Sequence, residues 1–207
     1  MKRITVLVLA FFMIFSLTAC GNGSRQQGSD NGNNHSAGSS TVKKVSPNKK
    51  ILIAYFSHTG NTREIAQQIH NKVGGDLFQI KTVKPYAKDY DVTVDRAKKE
   101  QDENARPKLT AKVKNMKDYD VVFLGYPDWW GTMPMAVFTF LGQYNFSGKT
   151  IIPFVTHEGS EFGRSLSDIR KTAPKAKLAR GIAVRGSEVQ SAQGDVSKWL
   201  RKLGMID

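Results

Sequence analysis

Between Lys50 and the C-terminus, short continuous apolar runs alternate with segments whose apolar residues recur at helical spacing. Ile51 to Phe56 is apolar throughout and of strand length, and Ile65, Ala66, Ile69 and Val73 follow on one helical face that Gly74-Gly75 stops. The alternation recurs. Leu77 to Ile80, Val121 to Gly125, Thr150 to Val155 and Gly181 to Val184 read as strands. Met135, Ala136, Phe140 and Leu141 (behind Pro134), then Phe162, Leu166 and Ile169, then Val196, Trp199, Leu200 and Leu203 read as helix faces. Strands this apolar must be covered on both sides, and the helices between them can do so. The pattern predicts a doubly wound α/β domain over 49–207 with a five-stranded parallel sheet in the order 2-1-3-4-5.

Such sheets bind ligands beyond the carboxyl ends of their strands, at the switch point, which directs attention to the loops after strands one, three and four. The first is Ser57-His58-Thr59-Gly60-Asn61-Thr62, running straight into a helix. Backbone N–H groups at a helix start, with hydroxyls beside them and a glycine permitting close approach, bind phosphate without any Lys or Arg. By chemistry alone the loop could hold any phosphate monoester, or be a plain helix cap. The second runs from Tyr126 through Pro127-Asp128-Trp129-Trp130-Gly131 to Pro134, and its adjacent tryptophans suit stacking on a flat ring; one of them could equally be a lid on the core. The third is Thr156-His157-Glu158-Gly159-Ser160-Glu161-Phe162-Gly163.

The first loop resembles the Ser/Thr-x-Thr-Gly-x-Thr phosphate loop of flavodoxins, and the second and third resemble those of the flavodoxin-like group with a Pro-x-Trp-Trp-Gly loop. The resemblance covers Lys49 to Asp207 and implies FMN as cofactor. It implies contacts from Ser57 to Thr62, from Pro127 to Gly131, and from Thr156 to Gly159 with Phe162 and Gly163, the third loop closing over the flavin. The segment Tyr86 to Pro107, with Tyr90, Arg96 and Glu100, resembles that group's insertion between strands two and three; it reads as a substrate wall or as an ordinary surface helix. Asp128 departs from the group, which commonly has an apolar residue there, and a carboxylate beside the flavin would lower its reduction potential. His157 is the candidate proton donor to a reduced substrate, with flavin packing as its alternative role.

The first 48 residues read as address and tether. Lys2 and Arg3 precede an apolar run from Ile4 to Leu17 that is short for a membrane span, and Leu17-Thr18-Ala19-Cys20 resembles the lipobox of bacterial lipoprotein signal peptides. The resemblance implies cleavage of 1–19, a diacylglycerol thioether on Cys20, and a lipid anchor on the extracytoplasmic face of the cell membrane. From Gly21 to Ser40, 14 of 20 residues are Gly, Asn or Ser with no large apolar residue among them, which predicts a disordered tether over 20–48.

Charge and composition narrow the alternatives. Residues 49–207 hold 26 Lys+Arg against 17 Asp+Glu, a basic balance that favours anionic partners, yet no basic run interleaves with aromatics as nucleic-acid binding would require. Cys20 is the one cysteine, so the domain has neither a disulfide nor a thiol nucleophile. His58, His70 and His157 share no metal-ligand spacing. Ser147-Gly148-Lys149-Thr150 enters a strand where a phosphate-binding P-loop would leave one, and reads as a turn. The leading expectation is an FMN-dependent oxidoreductase acting on a quinone or other small electrophile. An electron shuttle to a membrane redox partner and a non-redox lipoprotein binding a phosphate compound are the alternatives.

Overall fold

A computed structural model of the chain describes residues 49–207; the expected signal peptide, Cys20 and the tether lie outside the described residues. The strands are β1 (Ile51–Tyr55), β2 (Asp76–Gln79), β3 (Val121–Pro127), β4 (Thr150–His157), β5 (Lys177–Leu178) and β6 (Ile182–Arg185). The helices are α1 (Asn61–Val73), α2 (Tyr90–Asp102), α3 (Met135–Gly142), α4 (Ser165–Thr172) and α5 (Gln193–Lys202). All strands pair in parallel in the order β2-β1-β3-β4-β5, with β6 also on β4. The expected order therefore stands, and its fifth position is shared by two short strands.

The break in that fifth position has a cause in β4. Ala179 N–H donates to Ile151 C=O at 2.9 Å, so the odd-numbered residues of β4 turn their backbone groups toward the fifth strand. The next in line is Pro153, which has no N–H to give. The ladder lapses there and resumes at Phe154↔Ile182. Pro127 follows the same rule: its missing N–H points to the β1 side, where pairing has already ended at Tyr55↔Gly125. β3 and β4 thus run to Pro127 and His157, further than the apolar runs suggest, because the two central strands pair up to Pro127↔Thr156. Tyr126, Pro127, Thr156 and His157, assigned to loops from the sequence, are strand residues.

Alternate residues of the central strands feed two cores. Ile53, Phe123, Ile152 and Phe154 pack under Ile65, Ile69, Val196 and Leu200 of α1 and α5. Leu52, Leu124, Ile151 and Val155 pack under Ala136, Phe140, Leu141 and Ile169 of α3 and α4. Phe162, read as part of a helix face, precedes α4 and packs at the gap in the fifth strand, where a Cβ on Gly181 would come within 2.7 Å of its ring. Lys149 is buried, and its ammonium donates to the C=O groups of Lys117 (3.1 Å) and Tyr119 (2.5 Å), tying the approach to β3 onto the start of β4.

Gly125 is the tightest point of the sheet. A Cβ there would stand 2.1 Å from the Phe154 ring, its register partner on β4. Gly125→Ala is expected to cost about 1–3 kcal/mol of overpacking, checked by urea unfolding, and Phe154→Leu in the same chain should recover part of it.

Candidate functional site

The loop between β1 and α1 presents its backbone. Gly60, at φ 107°, holds the N-cap position of α1 in a conformation that favours glycine, and it has no side chain of its own to cap the helix. Arg63 N–H donates to Ser57 Oγ at 3.2 Å and Glu64 N–H to Gly60 C=O at 2.9 Å. The N–H groups of His58, Thr59, Gly60, Asn61 and Thr62 have no acceptor among the described residues. They form a row of free donors at the positive end of a helix dipole, an arrangement suited to an anion. Thr62 is buried, and its hydroxyl meets that of Thr156 at 2.8 Å, fixing the helix start to the end of β4.

After β3 the two tryptophans divide their roles. Trp129 and Thr132 exchange backbone hydrogen bonds at 2.7 and 3.2 Å around Trp130 (φ 55°) and Gly131 (φ 75°), a tight turn with both central residues at positive φ. Holding a tryptophan there costs roughly 1–2 kcal/mol. Trp129 is half-buried, edge-on to Tyr86 (5.0 Å), Phe56 (5.3 Å) and His58 (5.9 Å). Trp130 is 48% exposed, and its indole N–H donates to Val94 C=O of α2 at 3.2 Å.

The loop after β4 is knitted to this turn. Ser160 Oγ donates to Asp128 Oδ2 at 2.6 Å, Asp128 N–H donates to Thr156 C=O at 2.8 Å, and Arg164 N–H donates to Gly131 C=O at 2.8 Å. Gly163 (φ 47°) lies so close that a Cβ on it would fall 2.3 Å from Gly131 O. Asp128 Oδ1 is buried without a partner among the described residues. Asn61 and Glu158 approach each other at Gly186, where a Cβ would meet Asn61 Nδ2 at 2.8 Å and Glu158 Oε1 at 2.2 Å. His157 ends β4 with Nδ1 accepting the Gly159 N–H at 2.9 Å, which leaves Nε2 to carry the proton of the neutral ring.

A cavity of about 390 Å³ opens between the first two loops and α2. His58, Thr59, Thr62, Pro127, Asp128, Trp129 and Trp130 line one side, all expected site residues. Lys88, Tyr90, Thr93, Val94 and Ala97 line the other. The segment Tyr86 to Pro107 is thus both a surface helix and a cavity wall. Its anchor is a network: Tyr86 OH donates to Glu100 Oε2 at 2.5 Å, and Arg96 donates to Glu100 (2.8 Å) and to the C=O groups of Pro85 (2.7 Å) and Lys84 (3.0 Å). Arg96 also lies 4.0 Å over the Tyr86 ring. His157, Glu158, Gly159, Phe162 and Gly163 do not line this cavity. Lys88, Thr93, Val94 and Ala97 went unsingled in the sequence; the one available signal was Asp89, whose carboxylate caps α2 by accepting Val92 N–H at 3.0 Å.

Three tyrosines of the domain set an alkaline limit. Burial, reinforced by Glu100, pushes the Tyr86 hydroxyl far above its ordinary range, and burial does the same for Tyr126. Tyr119 is pushed up to about 12 by burial and by its hydrogen bond to Asp76. These groups stay protonated in the folded chain while the unfolded chain releases their protons above pH ~10, so stability is full below that pH and falls as pH rises. Fully buried Tyr126 alone should cost up to about 1.4 kcal/mol per pH unit, read as a falling denaturation midpoint between pH ~9 and ~11.

Comparison with known proteins follows the same lines. The family model for flavodoxin matches residues 50–203. A solved structure of a candidate flavoprotein from Bacteroides eggerthii is 35% identical, with a TM-score of 0.67 over 75% of this chain and 98% of that one. A flavoprotein from Lactobacillus acidophilus, solved in complex with FMN, is 26% identical, with a TM-score of 0.59 over 69% of this chain and 97% of that one. No curated protein sequence matches.

Proposed function

The chain belongs to the flavodoxin family, and from that premise we propose that it is an FMN-binding redox protein that reduces a quinone or another small electrophile. In this reading a lipidated Cys20 holds it at the outer face of the cytoplasmic membrane. The carrying observation is that the row of free amides from His58 to Thr62 borders a cavity walled by Trp129, Trp130 and Asp128. The fit to FMN is direct. The amides would receive the phosphate, the tryptophans would flank the ring system, and Asp128, in the cavity wall beside them, would set a carboxylate near the ring. The volume of about 390 Å³ lies within the usual range for small-molecule sites.

When bound, FMN supplies the electron transfer. The residues of this chain bind and orient it. Thr62 and Thr156 lock the phosphate loop to β4, Ser160 fixes the Asp128 carboxylate, and the Arg96–Glu100–Tyr86 network holds α2 as the far wall. Thr93, Val94 and Ala97 make that wall compact and largely apolar, which favours a flat electrophile over a docked protein.

The test is anaerobic. FMN-loaded protein is photoreduced and mixed with a water-soluble quinone, and reoxidation should yield one quinol per flavin, two electrons and two protons being transferred, faster than with free FMN. Reoxidation no faster than that of free FMN contradicts the reading. The anchor is tested by the mass of the membrane-extracted protein, which should lack residues 1–19 and carry a diacylglyceryl group on Cys20. Asp128→Asn removes a negative charge beside the site and is expected to raise the flavin midpoint potential by on the order of 50 mV, measured by dye-linked titration. An unchanged potential would mean that Asp128 does not act on the flavin.

A further inference from the structure

Topology gathers a group of lysines, with few acids among them, at one end of this domain. In a parallel sheet all strands begin at the same end, and the helices that return alongside them finish there. Lys49 and Lys50 lead into β1, Lys117 precedes β3, and Lys177 opens β5. Lys72, Lys171 and Lys202 stand in the last turns of α1, α4 and α5. All seven are exposed. The acids at this end are fewer and engaged. Asp118 pairs with the Lys50 ammonium at 3.8 Å, Asp120 accepts the Lys50 N–H at 3.0 Å, Asp76 accepts the Tyr119 hydroxyl at 2.7 Å, and the main-chain oxygen of Asp207 accepts from Arg201 Nε at 2.9 Å. At the other end Asp89, Asp128, Glu158, Glu161 and Glu188 interleave with the bases.

Helix dipoles explain cations in last turns, but they do not explain lysines at strand starts. The second observation is where the chain enters. The segment 21–48 that links Cys20 to the fold joins it at Lys49, at this same basic end.

We propose that the amino end of the sheet is a docking face for an anionic lipid surface, so that the domain rests on the membrane with its cavity turned to solvent. The inference rests on the lipid-anchored reading for its biological setting, but the attraction is a property of the domain alone. Exposed lysines within a Debye length of an anionic bilayer each strengthen binding severalfold.

The domain 49–207 is a fair test object, because the solved Bacteroides eggerthii chain, matched over 98% of its length by 75% of this chain, is folded with almost nothing beyond the matched domain. It is sedimented with vesicles of phosphatidylcholine, with or without about 30% phosphatidylglycerol, in about 50 mM and about 300 mM salt. Binding is expected only to the anionic vesicles, weakening at least about tenfold at the higher salt. The triple variant Lys49→Gln, Lys50→Gln, Lys177→Gln should lose about tenfold or more, while the charge-matched triple Lys81→Gln, Lys84→Gln, Lys108→Gln stays within about twofold of the unaltered domain. No binding to anionic vesicles, equal loss from both triples, or tighter binding to a DNA duplex than to the vesicles overturns the proposal. A missing adduct on Cys20 removes the anchor and leaves the vesicle result to decide the docking face; an adduct without vesicle binding removes the docking face alone.

Discussion

Thr59→Glu is expected to weaken FMN binding at least about 100-fold while leaving the unfolding temperature within about 2 °C of the unaltered protein. The Thr59 side chain is exposed, and its hydroxyl makes no contact that folding depends on. A carboxylate at this position would reach the free N–H groups from His58 to Thr62, take up donors meant for an anion, and repel a second negative group. Losing two charge-assisted hydrogen bonds, at about 1.5–3 kcal/mol each, gives the expected factor. Fluorescence quenching of FMN during titration measures it. Thr59→Gln, similar in size and neutral, should lose far less, which separates charge from bulk.

Gly163→Val should be the most damaging single change at the site, costing about 3 kcal/mol or more and about 10 °C in Tm. Two physical terms add. The new Cβ would stand 2.3 Å from Gly131 O, a backbone atom that no rotamer change can move, and φ at 47° is a left-handed value that a β-branched residue tolerates poorly. Relief would come by parting the two loops and breaking the bond from Arg164 N–H to Gly131 C=O, which carries the tryptophan turn away from the Ser160–Asp128 contact. Gly131→Ala is the comparison: nothing lies within 4 Å of its Cβ position, so only the backbone term, roughly 1–2 kcal/mol, should be felt. Thermal melts with and without FMN separate the loss of fold from the loss of site.

Much of the architecture was legible because parallel strands buried on both faces leave unbroken apolar runs, as at Ile51 to Phe56 and Val121 to Gly125. What escaped notice depended on pairing and not on composition. Lys177–Leu178 is too short and too polar to stand out, and it is a strand only because β4 offers an edge there. The split beside it follows from Pro153, and the extra length of β3 and β4 comes from partners a sequence does not display. Lys149 looked like part of a surface turn, yet Gly148 (φ 76°) turns the chain so that its ammonium points inward to two carbonyls.

At the site, the phosphate loop could be read because its chemistry is local: hydroxyls, a glycine and a helix start in one hexapeptide. The tryptophans could be read only as a pair. Which of them packs on Phe56 and Tyr86 and which leans on α2 is decided by the turn at Trp130 and Gly131. The α2 wall was partly visible through Arg96 and Glu100, whose spacing suits an i,i+4 ion pair at 2.8 Å. Lys88, Thr93, Val94 and Ala97 are ordinary helix-surface residues by sequence, and only the packing of α2 against the loops brings them to the cavity.

The measurement that tests the central claim most directly is the visible spectrum of the purified chain before and after addition of FMN, with the quenching of flavin fluorescence followed in parallel. The site requires a yellow protein with shifted flavin bands and stoichiometric quenching at one FMN per chain. A colourless protein that leaves FMN fluorescence unchanged would contradict it and leave the fold with a site for some other anion.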